Sequence, residues 1–484
     1  MPDFERSNDY RPAYSQGDFR FPPGLRHSLP FYTRRSWVKF GHPIPLFEHL
    51  HQTFGSIAQY RFMGTTIVFV NDPEYVQEIL VNQAQSFVRE RTIKRMKILL
   101  GEGLITSDDP IHMRQRKLIA PAFHRQRIAG YADEIVKAAE GVASSWREGQ
   151  EIDAGDAMMR LSLRIVARTL FDSEVDADVL SVADEANTVM GLYNFLVAFP
   201  KLEQVLHWPI PGVVKFRRAK QRLDDIVDKL IANRRALSAE QLEGRGDLLS
   251  MLVAAHYEGE DGEEEDGSSA TGMSDAQVRD EVLTIFLAGY ETVANALTWT
   301  LYLLSQNPEA RDRMFAEVDE LLGNTGAARD RMRPAALADY PQLKYTEMVF
   351  AEAMRLYPPA WAMGRQSTAP VTLGEYRLPA GAHFFISQYI LHRSEEYWDE
   401  PLAFRPERHT PEAKAARPRY VYFPFGAGRR HCIGESFAWM EGVLALATIA
   451  QRWRLEFVPR FPVEAQAKIT LRPKFPMSMR TVAR

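Results

Sequence analysis

Ser274-Asp275-Ala276-Gln277 fits a capping box, in which a serine hydroxyl and a glutamine amide satisfy the first free donors of a helix. It opens a helical pattern that runs to about Gln306. That exceeds the roughly 8–20 residues usual for a globular helix. A helix this long crosses a whole domain, so the rest of the chain has to fold around it. A second helix is expected from about Leu343 to Tyr357, where Pro358-Pro359 stops it. Pro211 to Ala236 has apolar positions at helical spacing and a basic face. Glu435 to Trp453 also reads as helix.

The strand signals are short. Ser56–Phe62 and Thr65–Val70 flank Met63-Gly64 and read as a hairpin. Val371 to Gln388 alternates with turns and reads as β, and Arg454 to Arg472 as short strands. Residues 1–30, broken by Pro22, Pro23 and Pro30, read as irregular. From Pro73 to about residue 257 the signals are mainly helical, and Asp108-Asp109-Pro110 marks a helix start. Residues 258–272, acidic and rich in Gly and Ser, read as a mobile surface loop. No linker cleanly divides the 484 residues. The expectation is a mainly α fold with small β-sheets: an N-terminal arm over 1–40, then one large domain over 41–484.

Composition narrows the function. Lys+Arg 59 against Asp+Glu 63 gives a net charge of −4, so no basic excess argues for nucleic acid. The single cysteine, Cys432, rules out an intramolecular disulfide and an iron–sulfur cluster, and makes a structural zinc site improbable. No run approaches the ~20 apolar residues of a membrane span. The polar N-terminus lacks the apolar core of a signal peptide. A cytoplasmic protein is expected, with peripheral membrane contact through Phe21–Phe40 left open.

Cys432 lies in Phe-Pro-Phe-Gly-Ala-Gly-Arg-Arg-His-Cys-Ile-Gly, residues 423–434. Glycines permit positive φ and close approach of backbone to a ligand. Amides of such a loop, and the positive end of a helix beginning near Gly434, can face a sulfur anion. A thiolate held this way suits metal ligation, and Arg430 suits an anionic group on the same cofactor. A buried, inert thiol is the competing reading. A dinucleotide fingerprint is weak because the third glycine is missing. A Cys–His nucleophile is weak because His431 adjoins Cys432.

Phe425-x-x-Gly428-x-Arg430-x-Cys432-x-Gly434 resembles the haem-binding loop of the cytochromes P450, with five of ten positions fixed. Three further elements follow the family's order. Ala288-Gly289-Tyr290-Glu291-Thr292 is similar to its oxygen-activation motif. Small residues there let haem and O2 approach the helix, the Thr292 hydroxyl can bond backbone or water, and Glu291 can feed a proton relay. Glu352-x-x-Arg355 places both residues on one helix face. By resemblance this pair is buried and structural, with Arg408 as the third partner. His112 and Arg116, at i and i+4, resemble the propionate-facing pair, with Arg365 and Arg430 completing the set.

The resemblance covers residue 40 to the C-terminus and implies a long central helix over haem b (iron protoporphyrin IX). Cys432 would ligate the iron. His112, Arg116, Ala288, Gly289, Arg365, Phe425, Arg430 and Gly434 would bind the cofactor, and Thr292 and Glu291 would be catalytic. His112 stands where many relatives carry Trp. Tyr290 is expected to bring a phenol near the oxygen site. Ala288 stands where relatives with ester-linked haem carry Glu, so non-covalent haem is expected. The implied activity is insertion of one atom of O2 into a C–H bond or alkene of an apolar small molecule.

No flavin, nicotinamide or iron–sulfur motif is visible, so electrons are expected from a ferredoxin or flavodoxin with its reductase. Arg114, Lys117, Arg405, Lys414, Arg417, Arg419 and Arg429 could receive an acidic partner. The pocket should draw on residues 87–105, 192–199, 286–292, 360–363 and 475–477. A peroxide-driven peroxygenase, a non-enzymatic haem sensor and, remotely, a cysteine hydrolase stay open at this level. Thr292 counts against the peroxygenase.

Overall fold

The computed structural model describes residues 9–484, apart from 33–34, 40–41, 63, 172–205, 246, 255–272 and 324–331. The expected acidic loop at 258–272 and the pocket segment at 192–199 lie outside the described residues.

The long helix spans Asp275–Gln306, 32 residues, or roughly 48 Å at 1.5 Å per residue. Its capping box is formed: the Ser274 amide donates to Gln277 Oε1 at 2.9 Å and the Gln277 amide to Ser274 Oγ at 3.3 Å. Most of its residues from Val278 to Leu304 are buried, as befits a helix enclosed on all sides. Among the described residues, the helices that pack on it most extensively are Ala154–Phe171, Pro211–Arg235, Lys344–Leu356 and Glu435–Ala450. Gly442 sets one further contact. A Cβ there would lie 2.4 Å from the Phe350 ring, so only glycine lets Glu435–Ala450 approach Lys344–Leu356 this closely. The helix expected to reach Trp453 ends at Ala450, and Trp453 instead opens the strand Trp453–Phe457.

The largest sheet has seven strands in the spatial order Tyr10–Arg11, Gly24–Ser28, Ile57–Phe62, Thr65–Val70, His383–Ile386, Met363–Ser367, Phe87–Arg89. The expected hairpin forms, with Ile57 opposite Val70 and Phe62 opposite Thr65. His383–Ile386 runs parallel to Thr65–Val70 and antiparallel to Met363–Ser367. Phe87–Arg89 closes the edge, antiparallel to Met363–Ser367, with Arg89 directly opposite Arg365.

The irregular reading of residues 1–30 is corrected for residues 10–28. Four strands form there, and two of them join strands far along the chain: Gly24–Ser28 pairs with Ile57–Phe62, and Phe19–Phe21 with Tyr376–Leu378. Such two- to five-residue strands owe their pairing to those distant partners, and their own sequence carries little signal. Among the described residues no helix is long and apolar enough to cross a membrane.

Candidate functional site

Between the middle of the long helix and the loop before Glu435–Ala450 lies a cavity of about 280 Å³. Ile285, Ala288, Gly289, Thr292, Val293 and Ala296 form one wall, and Phe425 to Ala427 with Arg430 and Cys432 to Gly434 form the other. Cys432 carries exposed surface and lines this cavity. Its amide donates to the Phe425 carbonyl at 3.0 Å, which folds the loop back on itself. Gly428 has φ +68°, and a Cβ there would lie 1.9 Å from the Leu80 carbonyl oxygen, so this position admits only glycine. Although the sulfur is open to the cavity, the protein packed around it keeps bulk water away and pushes the Cys432 thiol up to about 11, against a lowering contribution from the Gly434 amide. The loop thus directs an amide at the sulfur, as its glycines predicted.

The cavity wall carries three arginines: Arg89, Arg365 and Arg430. Arg89 and Arg365 face each other across adjacent strands, an arrangement of like charges that is destabilising unless an anion intervenes. Burial, then repulsion from Arg365 and Arg430, holds Arg89 well below its ordinary value. Burial and then Arg430 lower Arg365 to about 10. The nearest carboxylate, Asp108, already serves Arg430 at 3.3 Å, Lys94 at 3.2 Å and the Arg89 backbone amide at 3.1 Å. Asp109 takes Arg429 at 3.2 Å and His112 at 3.3 Å. The Nε of Arg89 is buried without a partner among the described residues. This surplus of buried and partly buried cations fits a cofactor that brings its own carboxylates, as iron protoporphyrin IX does. The sulfur on the opposite wall fits its iron. Arg89 falls in the expected pocket segment 87–105, but no cofactor contact was expected of it. Only its register against Arg365 shows what it faces.

Two other expected cofactor contacts, His112 and Arg116, stand behind the cavity lining. Arg116 Nη1 donates to the His431 carbonyl at 2.8 Å, bracing the cysteine loop. His112 is buried, turned to Asp109, and lowered to about 4 by burial and then by Arg430. Neither residue is among those lining the cavity. Of the expected pocket segments, Arg89, Ala288, Gly289, Thr292, Ala360 and Met363 do line it, whereas 475–477 contributes nothing. Tyr290 is fully buried against Phe286, with ring centroids 5.3 Å apart, and does not line the cavity either. The phenol expected near the oxygen site does not reach the cavity surface.

Thr292 Oγ1 donates to the Ala288 carbonyl one turn back at 2.8 Å, in the cavity wall. Glu291 projects about 100° around the helix and is buried beside the cavity rather than in it. Its Oε1 accepts from Thr470 Oγ1 at 2.6 Å.

Glu352 and Arg355 are fully buried and make two hydrogen bonds of 2.8 Å. Arg355 also donates to the carbonyls of His392, Pro401 and Ala403. Arg408 Nε stands 3.4 Å from Glu352 Oε1, an ion-pair distance and not a hydrogen bond. The closer third partner is His409, with Nε2 at 3.0 Å from Glu352 Oε2. Burial would raise Glu352, but the bonds from His409 and Arg355 prevail and hold it below its ordinary value. Burial lowers His409 to about 4, so it serves as a neutral imidazole. Arg408 and His409 are adjacent in the chain, so only the turn geometry could tell which one reaches Glu352.

On the outer side of the cysteine loop, Lys414, Arg417 and Arg419 line an open groove together with Tyr420, His431 and Trp439. Arg405 pairs with Asp399 and Glu400, Lys414 with Glu347 at 3.4 Å, and Arg429 with Asp109. Arg114, Lys117 and Arg419 are exposed.

Residues 22–476 match the family model described as Cytochrome P450. The chain is 36% identical to "Cyclooctatin synthase" of Streptomyces melanosporofaciens over 417 residues, covering 86% of each. It is 34% identical to "Cyclooctat-9-en-7-ol 5-monooxygenase" of the same organism, covering 84% of this chain and 83% of that one. It is 31% identical to "Pentalenene oxygenase" of Streptomyces avermitilis, covering 93% and 95%. The crystal structure of the cytochrome P450DA heme domain superposes with a TM-score of 0.77 over 91% of this chain and 93% of that one, at 24% identity.

Proposed function

This chain belongs to the cytochrome P450 family, and from that premise we propose that its substrate is a polycyclic terpenoid alkene or alkenol. The protein is a haem monooxygenase: it places one oxygen atom of O2 in an apolar organic substrate, with electrons from a redox partner. When bound, haem supplies the oxygen activation, and a thiolate ligand favours O–O cleavage.

The chain's own residues divide the remaining work. Cys432 Sγ is the iron ligand we propose, with Phe425, Gly428 and Gly434 shaping the loop around it. Arg89, Arg365 and Arg430 hold the two carboxylates of the cofactor, replacing their mutual repulsion with charge-assisted hydrogen bonds. Arg116 acts on the loop through the His431 carbonyl. Ala288 and Gly289 leave the space above the cofactor, and Ala288 offers no carboxylate for an ester link. The Thr292 hydroxyl, released from the Ala288 carbonyl, presents a proton at Oγ1 inside the cavity. Glu291 resupplies it from the side. Ile285, Val293, Ala296, Ala360 and Met363 exclude water and contact substrate through apolar surface.

One observation carries this reading: a cysteine sulfur and three arginines, one buried and two partly buried, that share the single carboxylate of Asp108 line the same cavity as Ala288, Gly289 and Thr292. The terpenoid class rests on that apolar wall and on the names of the similar proteins. The redox partner we propose is a ferredoxin or flavodoxin with its reductase, received at the groove lined by Lys414, Arg417 and Arg419. A cytoplasmic location belongs to the same proposal and is supported by the chain's cysteine usage. The test is a spin-state titration of the purified holoprotein with polycyclic terpene alkenes and with fatty acids of matched size. Low-spin to high-spin conversion and an oxygenated product with the terpenes alone is the expected result. Conversion and turnover with the fatty acids alone would overturn the substrate class.

A further inference from the structure

Glu291, Asn295 and Trp299 lie at i, i+4 and i+8 on the long helix, in one stripe. All three reach the same hairpin, Ala465–Ala467 and Leu471–Pro473. Trp299 Nε1 donates to the Leu471 carbonyl at 3.3 Å, Asn295 Nδ2 donates to Thr470 Oγ1 at 3.2 Å, and Thr470 Oγ1 donates to Glu291 Oε1 at 2.6 Å. The hairpin is also tied to the segment that supplies Ala360 and Met363 to the cavity. The Leu471 amide donates to the Pro359 carbonyl at 2.9 Å, and Trp361 Nε1 to the Lys468 carbonyl at 2.7 Å.

A hydroxyl has one proton to give. The Asn295 amide occupies a lone pair of Thr470 Oγ1, so the remaining O–H is directed at Glu291. A carboxyl oxygen that accepts this bond at 2.6 Å is a poor place for an acid proton. Protonated Glu291 therefore carries its proton on Oε2.

We propose that Thr470, oriented by Asn295, is a positioning residue for proton delivery: it pins Oε1 of Glu291 and thereby assigns the deliverable proton to Oε2. This deepens the reading of Glu291 as the proton source for Thr292 and rests on it. Thr470 touches neither cofactor nor substrate in this role and acts through Glu291.

The test is a double-mutant cycle in the holoprotein, with Glu291→Gln, Thr470→Val, their combination and Thr470→Ser. The readouts are product formed per O2 consumed, the solvent isotope effect on kcat, and the Glu291 carboxyl band in infrared difference spectra, assigned by its loss in Glu291→Gln. Thr470→Val is expected to lower product per O2 by up to about tenfold, the upper worth of one hydrogen bond between neutral groups, and to raise the isotope effect. It should also shift the carboxyl band to the frequency of an unbonded acid. Thr470→Ser should restore all three, and adding Thr470→Val to Glu291→Gln should change nothing more. If Glu291→Gln lowers coupling while Thr470→Val leaves coupling, isotope effect and band at wild-type values, the inference is overturned and the role of Glu291 stands. If Thr470→Val acts equally in both backgrounds, its effect is structural and the inference fails. If Glu291→Gln itself leaves coupling and isotope effect unchanged, the proton-source reading fails first.

Discussion

Arg355 and Glu352 show how a short motif becomes a fold constraint. Both side chains are fully buried, and the guanidinium is spent on one carboxylate and three backbone carbonyls from residues 392–403. Removing one partner of such a pair leaves a buried charge uncompensated, which costs about 3–5 kcal/mol. Arg355→Ala is therefore expected to lose that much stability in urea unfolding and to purify with little haem. Full stability and full haem content would show that the pair is dispensable. At this scale the sequence was informative where a residue type has few uses. Cys432 stands alone among glycines, and the Glu352/Arg355 spacing admits few geometries. It was uninformative where the partner is chosen by tertiary register. Arg89 faces Arg365 only through strand pairing, and His409 displaces its neighbour Arg408 as the closest third partner of Glu352.

The helix Glu435–Ala450 carries a second kind of constraint. It starts at the cysteine loop, contacts Lys344–Leu356 through Gly442, and buries Glu441 completely. Burial pushes Glu441 up to about 8, with Ser162 opposing weakly. The folded pKa lies above the unfolded value of 4.5, so its contribution is intact below pH 4.5 and is lost as pH rises toward 8. Glu441→Gln removes this titration. The variant is expected to gain on wild type with rising pH across that window, at a slope of at most about 1.4 kcal/mol per pH unit. Parallel stability curves for the two proteins would show that Glu441 is ionised in the fold. Three long helices were legible from periodicity and caps: Asp275–Gln306, Lys344–Leu356 and Pro211–Arg235 fall within one or two residues of their expected bounds, whereas Pro308–Leu322 was not foreseen. The N-terminal strands were not, because two to five residues cannot show a period and their partners lie up to hundreds of residues away.

At the scale of the molecule, a helix buried almost all round forms one wall of an apolar cavity, and a glycine-shaped loop presents a sulfur from the other. The fold class and the two sides of this site could be read from the sequence. The cationic rim and the absence of His112, Arg116 and Tyr290 from the cavity lining could not, since each depends on how distant segments meet. The central claim is that Cys432 ligates a haem iron in this cavity. The absorption spectrum of the dithionite-reduced protein under CO tests it most directly. A Soret band shifted far to the red of a His-ligated haem, and lost in Cys432→Ser, is the predicted result. A colourless protein after haem supplementation, or a His-type band in the folded wild-type chain, would contradict it.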